Sequence, residues 1–385
     1  MNKYFTIILL TVFFLVAAFS SCKKDEDEKD VPIITITFYG SGHKCIFLLG
    51  TGEASINWGD GNKNTQKLTL PEDIFDIDRF PKFDIDRFPN FWHEYSAPFS
   101  KNRTVSITGE NIIGVGGWNM TDIDISCFPS LKALIYNSLE IDLSKFTEIE
   151  YLNCDYNYLL SSLDVSNNVA LKYLSFTQTK LTSLDLSRNT ALEYLSCNGN
   201  YQFATLDVSN NLVLKSLDCG SNPFPSLDVS KNLALKSLYC TGNQFSSLDV
   251  SKNTSLVRLI CDQSQLASLH VGKNTALKIL DCSKNSNITT LDLSGCSALE
   301  YINCFDINQL TSLNISGCDE LYFLDCRFGR MNAAALNALF DSLPDRNGKD
   351  IGVIKVSANP GLNEAEYNKT IAINKNWNVI ETLEF

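Results

Sequence analysis

The residues of this chain best equipped for reactivity are its thirteen cysteines. Eight of them, Cys154, Cys197, Cys219, Cys240, Cys261, Cys282, Cys304 and Cys326, recur at one position of a repeating pattern, with Phe176 filling the single gap. Thiols in such a series invite three readings: disulfides, a metal cage, or a nucleophile. Side chains at equal positions of stacked parallel strands lie about 4.8 Å apart. A disulfide prefers Cβ atoms roughly 3.5–4.5 Å apart. Zinc needs ligands clustered as in C-x2–4-C, and no such pair occurs. A nucleophilic thiol needs a base beside it, and the only histidines are His43, His93 and His270. The remaining expectation is a ladder of inward thiols, each packing as a small hydrophobe. Cys296 and Cys318, which replace an asparagine in the last two repeats, are expected to be buried as well.

Other chemistry fares no better. No Ser-His-Asp order is available, and Gly114-Val115-Gly116-Gly117 lacks the Lys-Ser/Thr of a phosphate-binding loop. A row of repeated aspartates offers hard oxygen ligands for calcium, yet each repeat brings one carboxylate and no G-x-D loop. Those carboxylates also lack the apolar pocket that a glycosidase acid requires. The chain is therefore expected to be no enzyme and to need no cofactor or metal.

Binding groups are more prominent. Tyr151, Tyr173 and Tyr194 occupy one outward slot in three consecutive repeats, an aromatic stripe of roughly 10 Å at strand spacing. Tyr239, Arg258, Ile260 and Ile279 make a second, more apolar patch, and Tyr301 and Phe323 continue the outward positions. Tyrosine and arginine dominate interface hot spots, and aromatic faces also stack on sugar rings. The plainer account is that tyrosine suits a half-wet sheet.

What must position these groups is the repeat itself. The pattern L-x-x-L-x-C-x-x-N-x-L-x-x-L-D-V-S-x-N is seen almost undiluted in LKSLDCGSNPFPSLDVSKNLA, Leu214 to Ala234. Its L-D-V-S core falls at Asp124, Asp142, Asp164, Asp185, Asp207, Asp228, Asp249, His270, Asp292 and Asn314, with steps of 21 or 22 residues from Asp142 onward. So tight a period means one coil per repeat, stacked so that neighbours bury each other's apolar edges. In the second half, Leu227-Asp228-Val229-Ser230 alternates inward and outward, predicting a short extended wall. Where the aspartate becomes His270 the serine becomes Gly272, so the pair is expected to act together through a side-chain bond that sets the turn.

The first half, as in Leu192 to Asn200 (LEYLSCNGN), resembles the short bacterial leucine-rich repeat. That resemblance implies a parallel sheet lining a concave face and an internal ladder made by Asn157, Asn200, Asn222, Asn243 and Asn285, broken at Thr179 and Ser264. It is similar to the repeat of internalin-type adhesins, which implies a protein ligand gripped by the concave sheet. The family binds proteins, glycans and lipids alike, so fold alone does not choose.

The ends complete the organisation. Lys3, the apolar stretch Tyr4 to Phe19 and Ser20-Ser21-Cys22 read as a secretory signal too short for a comfortable span. The cysteine after two small residues resembles a bacterial lipoprotein cleavage site, which implies acylation of Cys22; Phe19 stands where leucine is usual. Residues 23–30 (KKDEDEKD) form a charged tether, similar to the surface-export signal of some Gram-negative outer-membrane lipoproteins. A formal charge of −12 argues against nucleic acid and against a basic membrane patch. Residues 32–110 read as a small β domain. Its strands Ile33 to Phe38, Lys44 to Leu49 and Ala54 to Trp58 precede a hairpin turn at Gly59-Asp60-Gly61-Asn62. W-G-D-G, H-x-Y and the strand Thr104 to Thr108 resemble the polycystic-kidney-disease type of immunoglobulin-like sandwich. The octapeptide FDIDRFPK at 75–82 is duplicated almost unchanged at 83–90, which replication slippage explains more simply than a binding role. Past Cys326 the period stops; helices over 332–343 and 363–375 and strands over 351–356 and 377–380 read as a cap.

The expected fold is mainly β: a leucine-rich-repeat solenoid with short parallel strands, preceded by a small β-sandwich and closed by an α/β cap. The segments are 1–21 (signal), 22–31 (lipidated cysteine and tether), 32–110 (β domain), 111–330 (solenoid) and 331–385 (cap). The expected role is a cell-surface binding or adhesion lipoprotein, held in the outer membrane through Cys22 and facing outward. Its expected partner is a protein ligand met by Tyr151, Tyr173, Tyr194, Tyr239, Arg258, Ile260, Tyr301 and Phe323. The alternatives are a glycan-binding module for nutrient capture and a structural envelope protein without a specific ligand.

Overall fold

The computed structural model describes residues 33–38, 42–58, 60–68, 90–95, 103–117, 120–126, 128, 130–137, 141–272 and 274–382. Cys22, expected to be acylated, the charged residues 23–30 and, apart from Asn90, the duplicated octapeptides lie outside the described residues. Six strands form the first body: β1 (Ile33–Phe38), β2 (Gly42–Asn57), β3 (Lys63–Leu68), β4 (Asn90–Tyr95), β5 (Arg103–Gly117) and β6 (Met120–Asp124). All their mutual pairings are antiparallel: β1 with β5 and β6, and β2 with β3, β4 and β5. The alternation that suggested a strand buries Ile34 and Ile36 completely. The expected hairpin joins β2 to β3. There the Trp58 amide donates to the Asn62 carbonyl (3.1 Å), and Asp60 Oδ1 accepts from the Asn62 amide (3.0 Å).

The solenoid grows directly out of this body. β5 runs across the expected boundary at 110/111, and its end, Gly114-Val115-Gly116, pairs in parallel with β7 (Ala133–Ile135). Gly116 permits the approach, because a Cβ there would lie 2.5 Å from the Ile135 Cβ. One strand thus closes the antiparallel sheet and starts the parallel one.

Short strands follow: β8 (Tyr151–Asn153), β9 (Tyr173–Ser175), β10 (Tyr194–Ser196), β11 (Ser216–Asp218), β12 (Ser237–Tyr239), β13 (Ser247–Asp249), β14 (Arg258–Ile260), β15 (Ser268–His270), β16 (Ile279–Asp281), β17 (Thr290–Asp292), β18 (Tyr301–Asn303), β19 (Ser312–Asn314) and β20 (Phe323–Asp325). β7 to β12, then β14, β16, β18 and β20, pair in parallel and in register, as in Leu217↔Leu238 and Leu238↔Leu259. This is the concave sheet. On the opposite wall, among the described residues, only β13–β15 and β17–β19 form ladders. In the earlier coils that wall is extended chain and turns.

Between the walls the core is dry. The central strand residues from Leu152 to Leu324 are fully buried, and Cys154, Cys197, Cys219, Cys240, Cys261, Cys282, Cys304 and Cys326 are buried beside them as free thiols. Three of the sulfurs lie within donating distance of a carbonyl of the next coil: Cys154 Sγ to Ser175 O (3.3 Å), Cys304 Sγ to Asp325 O (3.1 Å) and Cys326 Sγ to Lys355 O (3.4 Å). Burial pushes the thiols above their ordinary range, because a thiolate there would have no water around it. Phe203, Phe224 and Phe245 fill the space between the walls.

Two asparagine ladders close the coils. In the first, Asn222 Nδ2 donates to Cys197 O (3.0 Å), Cys219 O (2.9 Å) and Gly220 O (3.0 Å), and Asn243 Nδ2 to Cys219 O (3.0 Å) and Cys240 O (2.9 Å). Cys197 O is shared by Asn200 and Asn222, and Cys219 O by Asn222 and Asn243, so one carbonyl serves the asparagines of two coils. Ser264 does not break the ladder as expected, because its Oγ still donates to Cys240 O (2.9 Å) in place of the amide. At Thr179 the expected break is seen: Oγ1 turns to Asn200 Oδ1 (2.8 Å) instead of a backbone carbonyl. The second ladder is Asn168, Asn189, Asn211, Asn232, Asn253 and Asn274; Asn232 Nδ2, for example, donates to Val208 O (2.9 Å) and Asn211 O (3.0 Å). Cys296 and Cys318 take over that place, buried, with Cys318 Sγ 3.4 Å from Leu293 O.

Past β20 the chain makes α1 (Ala333–Ser342), β21 (Gly352–Lys355), a 3-10 turn (Pro360–Asn363), α2 (Thr370–Ile373) and β22 (Trp377–Ile380). Asn332 caps α1, its Oδ1 accepting from the Ala335 amide (2.9 Å). β21 and β22 add two parallel strands to the concave sheet. Asn359 joins the first ladder, donating to Cys326 O (2.9 Å) and Val356 O (3.0 Å). The cap is thus built as further coils. The helix expected over 363–375 shrinks to the single turn of α2, because residues 364–368 are tied to α1 instead. Glu364 Oε2 accepts from the Ala333 amide (2.9 Å), and Asn337 bonds the Glu366 carbonyl (2.7 Å) and the Asn368 amide (2.9 Å). Among the described residues no helix is long and apolar enough to cross a membrane.

Candidate binding surface

From β7 to β20 each concave strand is three residues long, so its central residue points inward and its first and third point out. Register pairing lines these up into two rows. The first outward row reads Ala133, Tyr151, Tyr173, Tyr194, Ser216, Ser237, Arg258, Ile279, Tyr301, Phe323. The second reads Ile135, Asn153, Ser175, Ser196, Asp218, Tyr239, Ile260, Asp281, Asn303, Asp325.

The two halves of this surface differ. Tyr151, Tyr173 and Tyr194 stack face to face, with ring centroids 4.2 and 4.3 Å apart, and retain only 1%, 8% and 5% of their exposure. Burial pushes all three phenols above their ordinary titration range, making them weaker acids. The stripe read from sequence therefore exists, but its ring faces are spent on one another. Beside it Asp155 is pushed above the usual carboxylate range by burial. Bonds from Ser175 Oγ (2.6 Å), the Thr177 amide (2.6 Å) and Asn153 Nδ2 (3.1 Å) oppose that shift. Along the lower edge Glu150 is held below its ordinary value by Lys172 (2.7 Å) and Lys132 (3.4 Å) against a desolvation that acts the other way.

From β12 to β18 the outward residues are half-exposed, and on β20 Phe323 is half-exposed while Asp325 is buried. Tyr239 and Arg258 meet here, Nη1 donating to the phenol oxygen at 3.1 Å, with Ile260 next to Tyr239 in the second row. Tyr301 and Phe323 stack at 4.7 Å, and Lys355 Nζ sits over the Phe323 ring at 5.6 Å. Arg327 grips Asp325 with Nε and Nη2 (2.7–3.1 Å) and covers Phe305 at 5.0 Å. The five residues expected here, Tyr239, Arg258, Ile260, Tyr301 and Phe323, thus share one open stretch of sheet. Three outward carboxylates, Asp218, Asp262 and Asp281, were not singled out from sequence; Asp218 and Asp281 were nevertheless legible there as outward strand positions.

The convex wall carries the aspartate row. Each Oδ1 accepts from the amide two residues on, as in Ser230 to Asp228 (2.8 Å) and Ser251 to Asp249 (2.9 Å), which holds these carboxyls below their usual value. The Asp-Ser pair is therefore a turn clip, as its joint loss at His270 and Gly272 suggested. Gly272 adopts φ +58°, and a Cβ there would come within 2.9 Å of Ser251 Cβ. Among the described residues no cluster of three or more His, Cys, Asp or Glu side chains is placed to hold a metal ion.

No protein-family model matches the chain, and no curated protein matches it. Solved structures do. The functional domain of InlJ from Listeria monocytogenes, described as including a cysteine ladder, aligns at 24% identity over 67% of this chain and 74% of that one, with a TM-score of 0.46. YopM from Yersinia enterocolitica aligns at 20% identity over 65% of this chain and 55% of that one, with a TM-score of 0.48. The internalin InlF from Listeria monocytogenes aligns at 16% identity over 71% and 87%, with a TM-score of 0.39.

Proposed function

We propose that this chain is a surface-displayed binding lipoprotein that grips a protein ligand with the open half of its concave sheet. The observation that carries the reading is the half-exposed group Tyr239, Arg258, Ile260, Ile279, Tyr301 and Phe323, set side by side on the five neighbouring strands β12, β14, β16, β18 and β20. Rigid strands hold aromatic and guanidinium groups of the kind that anchor interfaces, and the solenoid keeps them in a fixed register. A glycan reading draws less support: sugar stacking needs a free ring face, and the faces of Tyr151, Tyr173 and Tyr194 lie against each other. Residues 3–30 supply the address in this proposal, with Cys22 acylated and the acidic tether carrying the body away from the outer membrane.

Two measurements test it. Protein and glycan panels are probed with the wild-type chain and with Tyr239→Ala/Arg258→Ala/Ile260→Ala; the expected result is protein binding that the triple variant loses. Retention of binding by that variant would overturn the assignment of the surface. Fatty-acid labelling in cells should mark the wild type and not Cys22→Ala, and equal labelling of both would remove the anchor.

A further inference from the structure

The open half of the sheet has a charge pattern that specifies its occupant further. In the second outward row Asp218 and Asp281 bracket Tyr239 and Ile260 on successive strands β11, β12, β14 and β16. Three strand spacings put the two carboxylates about 14 Å apart. Asp262 lies alongside, two positions beyond Ile260 on the same coil. All three are bonded to neutral donors only: Asp218 to Asn198 Nδ2 (3.1 Å), Asp262 to Thr241 Oγ1 (2.5 Å) and Gln263 Nε2 (3.0 Å), and Asp281 to Asn303 Nδ2 (2.9 Å) and Ser283 Oγ (2.7 Å). Arg258 is turned to the Tyr239 phenol from the first row, and other cations along the sheet are engaged elsewhere: Arg327 with Asp325, Lys278 with Glu300 and Lys215 with Glu193. The sheet thus offers an apolar Tyr-Ile step with an uncompensated carboxylate at each side.

We infer that the ligand presents an extended cationic segment of the form (Lys/Arg)-x-apolar-x-(Lys/Arg), lying across the strands with its two cations on Asp218 and Asp281 and its apolar side chain on Tyr239 and Ile260. The spacing selects this form. In an extended chain residues i, i+2 and i+4 share a face, and i to i+4 spans about 13–14 Å, the distance between the bracketing carboxylates. Asp262 reinforces the negative potential at the centre of the segment. Arg258, in the other row and turned to Tyr239, borders the site on its first-row side and disfavours a cation there.

The inference rests on the concave-face reading, and the test separates the two. Fluorescently labelled peptides are titrated into the full chain: Gly-Arg-Ser-Ile-Ser-Arg-Gly, its counterpart with glutamates for the arginines, and an isomer with the arginines adjacent. The variants are Asp218→Asn/Asp281→Asn, Tyr239→Ala/Ile260→Ala and, on the convex wall, Asp228→Asn/Asp249→Asn. Asparagine keeps the turn clip there, since Asn314 already accepts from the Ser316 amide in the same way (3.1 Å). The expected result is salt-sensitive binding of the first peptide alone, weakened about tenfold by the concave aspartate pair, weakened also by the apolar pair, and unchanged by the convex pair. Equal weakening by the convex pair would show only general attraction to an acidic protein and would overturn the inference. So would equal binding of the adjacent-arginine isomer. Binding of the glutamate peptide that is lost with Tyr239→Ala/Ile260→Ala would sink the cationic assignment while leaving the concave surface in place. Binding indifferent to both concave pairs would sink both.

Discussion

Replacing Asn222 by alanine probes the element that holds neighbouring coils together. The side chain is buried, donates through Nδ2 to three carbonyls, and accepts at Oδ1 from the Asn200 amide (3.0 Å). Alanine removes all of these. The Asn200 amide is left without an acceptor, which costs about 1–3 kcal/mol for a buried donor. The carbonyls suffer less, because Cys197 O keeps Asn200 Nδ2 (2.8 Å) and Cys219 O keeps Asn243 Nδ2 (3.0 Å). Their share is about 1 kcal/mol, so the single variant should lose roughly 2–4 kcal/mol. Asn222→Ser should lose clearly less, since Ser264 shows that a hydroxyl reaches the equivalent carbonyl. The sharing also predicts coupling. In Asn222→Ala/Asn243→Ala the Cys219 carbonyl loses both donors, so the double variant should cost about 1 kcal/mol more than the sum of the singles. Urea denaturation followed by circular dichroism measures all four proteins. Additivity within about 0.5 kcal/mol would refute the shared-carbonyl account, and equal losses for serine and alanine would refute the role given to the donor.

Three further outcomes follow from the same geometry. Native thiols should react slowly with a maleimide and fast in urea, because the ladder cysteines are buried; rapid labelling of most of them in the folded protein would mean the stack is wrongly drawn. The folded thiols titrate above their ordinary value of 9.0, and Cys318 is pushed up to about 12 by burial. A raised acid favours the native state below its unfolded value, so thermal stability should hold to about pH 8.5 and decline as pH rises beyond it; a flat profile to pH 11 would count against buried neutral thiols. Gly116→Val should loosen the β5–β7 junction by roughly 1–3 kcal/mol or more, read as faster proteolysis between residues 117 and 133, since even a Cβ would clash with Ile135. Unchanged cleavage would mean the two sheets are not joined there.

Much of this was legible because the repeat amplifies weak signals. One L-D-V-S is ambiguous, but nine such positions from Asp142 onward at steps of 21 or 22 define which residues face in, and the paired change at His270 and Gly272 points to the turn clip. Asn359 is a less obvious ladder member because its coil carries Ile351, Ile354 and Val356 where the repeat has two leucines and a cysteine, so only the spacing of the pattern survives. Residues 363–375 read as a helix because local propensity was all the sequence offered there. Glu364 and Asn337 redirected that stretch through bonds to a helix about thirty residues away.

Period, inward thiols and outward rows are properties of the chain written one coil at a time, and neighbouring coils merely repeat them, so sequence alone determined them. The sharing of β5 between two sheets, the closure of the tyrosine stripe on itself and the opening of the face from β12 onward depend on which surfaces meet. Contact across space is set by the packing of distant segments, and no local pattern encodes it; only the tertiary structure decided which half of the sheet stays open.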